Sequence, residues 1–259
     1  MKKLVSGLVV SGCLLLLCSG LAFAKGTAGV ANTWHNLSTT GPVAGMASYA
    51  TNEDEVCIFC HTPHGGNTTG PLWNRSLPGA STYTQYNSVT LSSYLQGLSA
   101  SRPVNDESLL CLSCHDGTIS VNHLLNTSND IGIPETTFVM MGDPTDTHII
   151  NLGAGGPNLG TDLSDDHPIS FSYDSVLGDA IYQPGGARVG QLRSVGTTVD
   201  ITSALGWQGE GVRFFGADHR VECSSCHDPH VDYITNTAYR PFLIRPNTGS
   251  ALCLACHNK

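Results

Sequence analysis

The longest apolar stretch in the chain is its first, Leu4 to Leu17, broken by single Ser, Gly and Cys residues. Lys2 and Lys3 precede it, and Ala22-Phe23-Ala24 follows it. A basic start, a short apolar middle and a small-x-small ending predict an export signal over residues 1–24, with the mature chain beginning near Lys25. A membrane anchor would need a longer apolar run and different flanks. Val10-Ser11-Gly12-Cys13 resembles a lipid-attachment box, but the apolar stretch runs on past it to Leu17. No second run of spanning length follows, so no transmembrane segment is expected in the mature chain.

After residue 25 the polar pattern dominates. Residues 25–55 show neither the 3.6 nor the 2.0 period and read as an N-terminal arm. Asn52-Glu53-Asp54-Glu55 and Asn105-Asp106-Glu107-Ser108 place capping and acidic residues where helices begin, and Gly117 stands where one would stop. Asn247-Thr248-Gly249-Ser250 repeats the signal near the C-terminus. From Asn126 to Gly211, Gly, Ser, Thr, Asn and Pro prevail, which predicts loops and a few strands. Val212–Phe215 and Arg220–Glu222, separated by Gly216-Ala217-Asp218, predict a small hairpin. The expected fold is mostly irregular, with short helices and a few short strands in one domain over 25–259.

Composition sharpens the picture. Only 40% of residues are apolar and 7% aromatic, so large side chains are too thinly spread to fill an ordinary core alone. Without the leader, 10 basic residues face 21 acidic ones, a net charge of −11 that argues against a nucleic-acid partner. Asn36-Leu37-Ser38 and Asn67-Thr68-Thr69 match a glycosylation sequon and are therefore expected at the surface.

The cysteines supply the chemistry. Ten are present, two in the leader, and the other eight fall in four copies of one pattern. These are Cys57-Ile58-Phe59-Cys60-His61, Cys111-Leu112-Ser113-Cys114-His115, Cys223-Ser224-Ser225-Cys226-His227 and Cys253-Leu254-Ala255-Cys256-His257. CxxCH is the attachment signature of c-type haem. On a helical turn positions i, i+3 and i+4 share a face, so two thiols bond the porphyrin edge while the His reaches the iron. Structural zinc and disulfides also use paired Cys, but neither requires His after every second Cys. Four covalent haem c groups are expected, with His61, His115, His227 and His257 as proximal iron ligands. Such groups would also supply the missing core.

Two motifs extend further, His61-Thr62-Pro63-His64 and His227-Asp228-Pro229-His230. A His three residues past the proximal ligand leaves from the same side of its own haem, so it is expected to serve a neighbouring iron. Seven His lie outside the motifs: His35, His64, His123, His148, His167, His219 and His230. They suffice for a second imidazole on all four irons. Met46, Met140 and Met141 are the thioether alternatives, which would raise a haem's potential. Six-coordinate irons leave no open position, so the expected activity is electron transfer and not catalysis.

Several flanking segments extend these observations. Trp34-His35-Asn36-Leu37-Ser38, Pro71-Leu72-Trp73-Asn74-Arg75, Asp166-His167-Pro168-Ile169-Ser170-Phe171 and the residues bordering the first three motifs resemble the OmcE-type tetrahaem cytochromes of metal-reducing bacteria. The resemblance spans nearly the whole mature chain. It implies a haem-templated cytochrome at the outer surface or outside the cell, polymerised into a filament with stacked haems and one distal His given by a neighbouring subunit. It further implies His35, His64, His167 and His230 as distal ligands, with Asp165 or Asp166 a candidate acceptor for the ring N–H of His167. His219, His123 and His148 remain as rivals. The free arm makes His35 the expected donor to a neighbour, and His167 the runner-up. Expected partners are further copies of the chain, other redox proteins and extracellular electron acceptors. A soluble periplasmic carrier and a multihaem reductase with one open iron are the alternative functions.

Overall fold

The computed structural model describes residues 29–41, 49–50, 53–70, 72–80, 83–98, 102–119, 121, 123–126, 140–141, 157–194 and 211–258, with backbone alone at 49–50 and 140–141. The expected leader, the start of the arm, Met46, His148 and the glycine-rich stretch at 153–156 lie outside these residues. Most of the described chain is irregular. Four short helices interrupt it: α1 Ser93–Leu98, α2 Asp106–His115, α3 Tyr173–Gly178 and α4 Cys223–Cys226. Six two-residue strands, β1 Tyr49–Ala50, β2 Thr84–Gln85, β3 Met140–Met141, β4 Asp162–Leu163, β5 Phe171–Ser172 and β6 Arg220–Val221, make three separate pairs. β1–β3 and β5–β6 are antiparallel, while β2–β4 is parallel.

α2 begins after Asn105, as the capping signal predicts, but the Asn105 side chain makes no cap. It donates instead to Glu222, which joins α2 to the third motif. The helix ends at Asp116, and Gly117 turns the chain away at φ 71°, where a Cβ would come within 2.7 Å of Asn158. α1 and α3 lie where no helix was expected. Local caps explain both: Ser92 Oγ accepts from the Leu95 N–H, and Ser172 Oγ from the Ser175 N–H. Asp179, just past α3, accepts from the Tyr94 N–H at 2.7 Å and ties the two helices together. The expected hairpin is a single bridge closed by Phe215 and Arg220 around Gly216 at φ 69°. Beyond it, β6 leaves to pair with β5, so the strand is shared with a segment some fifty residues earlier.

Apolar side chains gather in three clusters, each built around a motif. Ile58 and Phe59 of the first motif bury with Val121 and Leu124. Leu112 of the second buries with Tyr83, Val104, Leu109 and Leu163. Ala255 of the fourth joins the largest, formed by Leu95, Phe171, Tyr173, Val176, Val212, Phe214, Val221 and Ile244. Asn36 and Ser38 are buried and hydrogen-bonded to each other, which overturns the surface expectation for that sequon. Among the described residues no helix is long and apolar enough to cross a membrane.

Candidate functional site

Each CxxCH segment folds into one turn. The His61, His227 and His257 N–H groups donate to the carbonyls of Cys57, Cys223 and Cys253 at 2.8, 3.1 and 2.9 Å. His115 closes the last turn of α2. The i to i+4 bond brings the first Cys and the His onto one face, as haem attachment needs. The segments differ in length: the first is an isolated turn and the fourth a 3-10 turn at Cys253–Ala255, so helices form at two of the four. No disulfide joins any of the eight motif cysteines. Burial pushes the thiol pKa of Cys60 and Cys226 up to about 12 and that of Cys256 to about 11, marking these as water-poor positions.

The motif histidines face other histidines across narrow gaps. His115 lies opposite His35 with ring centroids 6.0 Å apart, His61 opposite His230 at 6.3 Å, and His257 opposite His167 at 6.5 Å. Each pair joins one motif His to one of the four expected distal ligands. Imidazole nitrogen binds a first-row metal at about 2 Å and lies about 1 Å from its ring centre, so two rings sharing one ion sit roughly 6 Å apart. Ordinary aromatic pairs reach the same spacing. Two neutral imidazoles so placed make no hydrogen bond across the gap, however, and His35 Nδ1 is buried without a hydrogen bond of ordinary geometry, although the Pro229 backbone acts on the ring. Three such pairs, all centred on CxxCH, fit axial ligation of a haem iron. Among the described residues no three or more His, Cys, Asp or Glu converge as a thiolate zinc site would require.

The ring tautomers fit the same role. Nδ1 of His115, His167 and His227 lies 2.6, 2.8 and 2.9 Å from the carbonyls of Pro157, Pro168 and Pro241, and Nδ1 of His230 lies 3.1 Å from Asp228 Oδ1. A proton on Nδ1 leaves Nε2 as the metal-binding nitrogen. His167 uses the Pro168 carbonyl and not Asp165 or Asp166, which corrects the expected acceptor. Burial, then the charges of His115, His230 and His227, lowers the His35 pKa to about 3, and burial also lowers that of His115. Both rings therefore stay neutral, as ligands must.

The motif cysteines follow one another in chain order. Cys60 and Cys114 lie close enough to feel each other's charge, Cys111 and Cys223 lie within hydrogen-bonding reach, and Cys226 and Cys256 are again neighbours. The first motif thus adjoins the second, the second the third, and the third the fourth. Two buried charged residues that sequence reasoning did not single out hold this row. Arg75, fully buried, donates to the Val121 and Ser113 carbonyls beside Cys60 and Cys114. Glu222 accepts from Asn105, Ser108 Oγ and Ser170 Oγ at 2.7, 2.6 and 2.9 Å, clasping α2 to α4. Asn105 and Glu222 flank CxxCH motifs, a cue that could have found the clasp.

The other described histidines, His64, His123 and His219, are not brought to a motif His. His64 is exposed and its ring meets no other among the described residues, its carbonyl being held by Thr62 Oγ1 and Asn126 Nδ2. His227, also exposed, has no ring opposite it there. His219 binds Asp174 through Nδ1 at 2.7 Å, and His123 is exposed. The arm histidine, His35, is stacked on Phe242 at 4.2 Å within its own chain, which corrects the expectation that it reaches outward. Trp73 packs edge-on against His61 at 5.8 Å. No family model matches the chain, and no curated protein matches it.

Proposed function

We propose that the protein is a tetrahaem c-type cytochrome that conducts electrons through bis-histidine irons, and that copies of it join into a filament outside the cell. The facing pairs His115/His35, His61/His230 and His257/His167, each at the spacing of two rings on one metal, carry the reading. Each haem, when bound, supplies a reversible one-electron couple at low cost in ligand rearrangement because both axial sites are filled. The chain's part is to hold: eight Cys anchor the macrocycles, the carbonyls and the Asp228 carboxylate fix the ring tautomers, and the chain-order contacts of the thiols set the row.

Assembly follows from the fourth site. His227 and His64 are both exposed and unmatched among the described residues, so His64 of one copy is proposed to complete the iron site of His227 in the next. A coordinate bond would then weld each subunit contact. The soluble carrier and the reductase are the competing readings, and a pair of variants separates them. His64→Ala should leave a secreted four-haem protein that runs as a monomer, with one haem high spin. His35→Ala should vacate one iron position yet still polymerise. Filaments from His64→Ala would remove the assembly proposal, and an intact mass lacking four haems would remove the cytochrome.

A further inference from the structure

The Nδ1 partners of the ligand rings differ in charge. His115, His167 and His227 meet neutral backbone carbonyls, whereas His230 meets Asp228 Oδ1. Asp228 is well placed to keep that bond. Its side chain is 4% exposed, its Oδ1 also accepts the His230 backbone N–H at 2.9 Å, and its Oδ2 accepts from Arg213. Paired in this way with the Arg213 guanidinium, Asp228 presents a charged carboxylate to the His230 ring. The ring pairs differ in orientation as well: His61 and His230 are 15° from parallel, while His35/His115 and His167/His257 stand at 68° and 74°.

These two differences fall on the same ligand. Within the bis-histidine reading, we propose that Asp228 is a positioning residue for the iron between His61 and His230. Its carboxylate locks the His230 ring near parallel to His61 and makes that imidazole a stronger electron donor than rings bonded to carbonyls. A charged acceptor gives a hydrogen bond about twice as strong as a neutral one, and second-sphere bonds of this kind tune ligand basicity and potential. One haem of the four is thereby set apart electronically by a residue that does not touch iron.

Low-spin iron reports the angle between its two imidazole planes: near-parallel rings give a resolved rhombic EPR spectrum, near-perpendicular rings a single feature at large g. The oxidised four-haem protein should therefore show a rhombic species beside strongly anisotropic ones. Asp228→Asn keeps an oxygen to accept the Nδ1–H but loses the charge, so the rhombic signal should persist while one of the four midpoint potentials rises. Asp228→Ala loses both, so the same potential should rise and the rhombic signal should move toward large g. Should the Ala variant fail to accumulate, the Asn variant decides alone. A wild-type spectrum without a rhombic species overturns the proposal. So does an Asn variant with all four potentials unchanged, which would make the bond structural, or with two or more shifted alike, which would make the charge act through space. Absence of covalent haem, seen by intact mass before any titration, would instead defeat the cytochrome reading itself.

Discussion

Single residues here act chiefly through where they are buried. Arg75 buries a guanidinium completely, donating to the Ser113 carbonyl inside the second motif and to the Val121 carbonyl six residues past it. Arg75→Met keeps much of the bulk and removes the donors, leaving two buried carbonyls unpaired. The expected loss is about 2–4 kcal/mol, read as a lower urea midpoint with haem content retained. His35 shows how far residue identity alone carries. The sequence names it as a ligand from its Trp34-His35-Asn36 setting, and the structure sets it opposite His115, stacked on Phe242. Its destination was not legible, because a segment without period gives no direction, and Phe242 lies about two hundred residues away. His64 and His230 make the reverse case. Their identical spacing in CxxCHxPH predicts one role for both, yet His230 finds His61 while His64 stays exposed, since the Asp228 carboxylate follows one motif and Thr62 the other.

At the scale of elements, the short helices hold only through what clasps them. α4 spans four residues, far below the length at which a helix is stable alone, and α2 relies on it. Glu222 joins the two through Asn105 and Ser108, and is held besides by Ser170 and a 3.4 Å ion pair with Arg220 Nε. Glu222→Ala should cost about 3 kcal/mol and loosen the second and third motifs together, measurable as faster amide exchange in both helices. Burial raises the Glu222 pKa above its ordinary 4.5, against the pull of its donors. The unfolded chain then ionises first, so this group's contribution weakens as pH climbs from about 4.5 through the raised value. Glu222→Gln lacks that slope. Its urea midpoint should gain on wild type between pH 4.5 and pH 7, and parallel curves would sink the argument. Helix starts were readable where caps are followed by an apolar period, as at Asn105. They were missed at Ser92 and Ser172, where only six residues follow and composition masks the cap.

For the whole molecule, the thin apolar supply and the three separate clusters leave the motifs as the points where the chain meets itself. On the proposed reading, replacing any one of the eight motif cysteines should lower the secreted yield sharply. The remaining product should have a mass short of one haem or carry it by a single thioether. The architecture class was legible from Gly, Pro and short polar runs. The order of the motifs in space was not, since intervals of 54, 112 and 30 residues between first cysteines carry no repeat to extrapolate.

The partnership of His61 with His230 has a consequence in time. The two stand 169 residues apart, and His35/His115 and His167/His257 are separated by 80 and 90, so their ranges interleave along the chain. On the proposed reading, a chain emerging from an export channel presents the first motif long before the residue that faces it. The first motif's site is thus completed only once residue 230 has emerged, whereas His35 and His115 are both present by residue 115. A chain ending at residue 210 should accumulate its first haem with one axial position unfilled, and supplying residues 211–259 as a separate chain should restore it. On that reading maturation becomes a checkpoint: only a polypeptide delivered past residue 257 presents a finished row to the next copy.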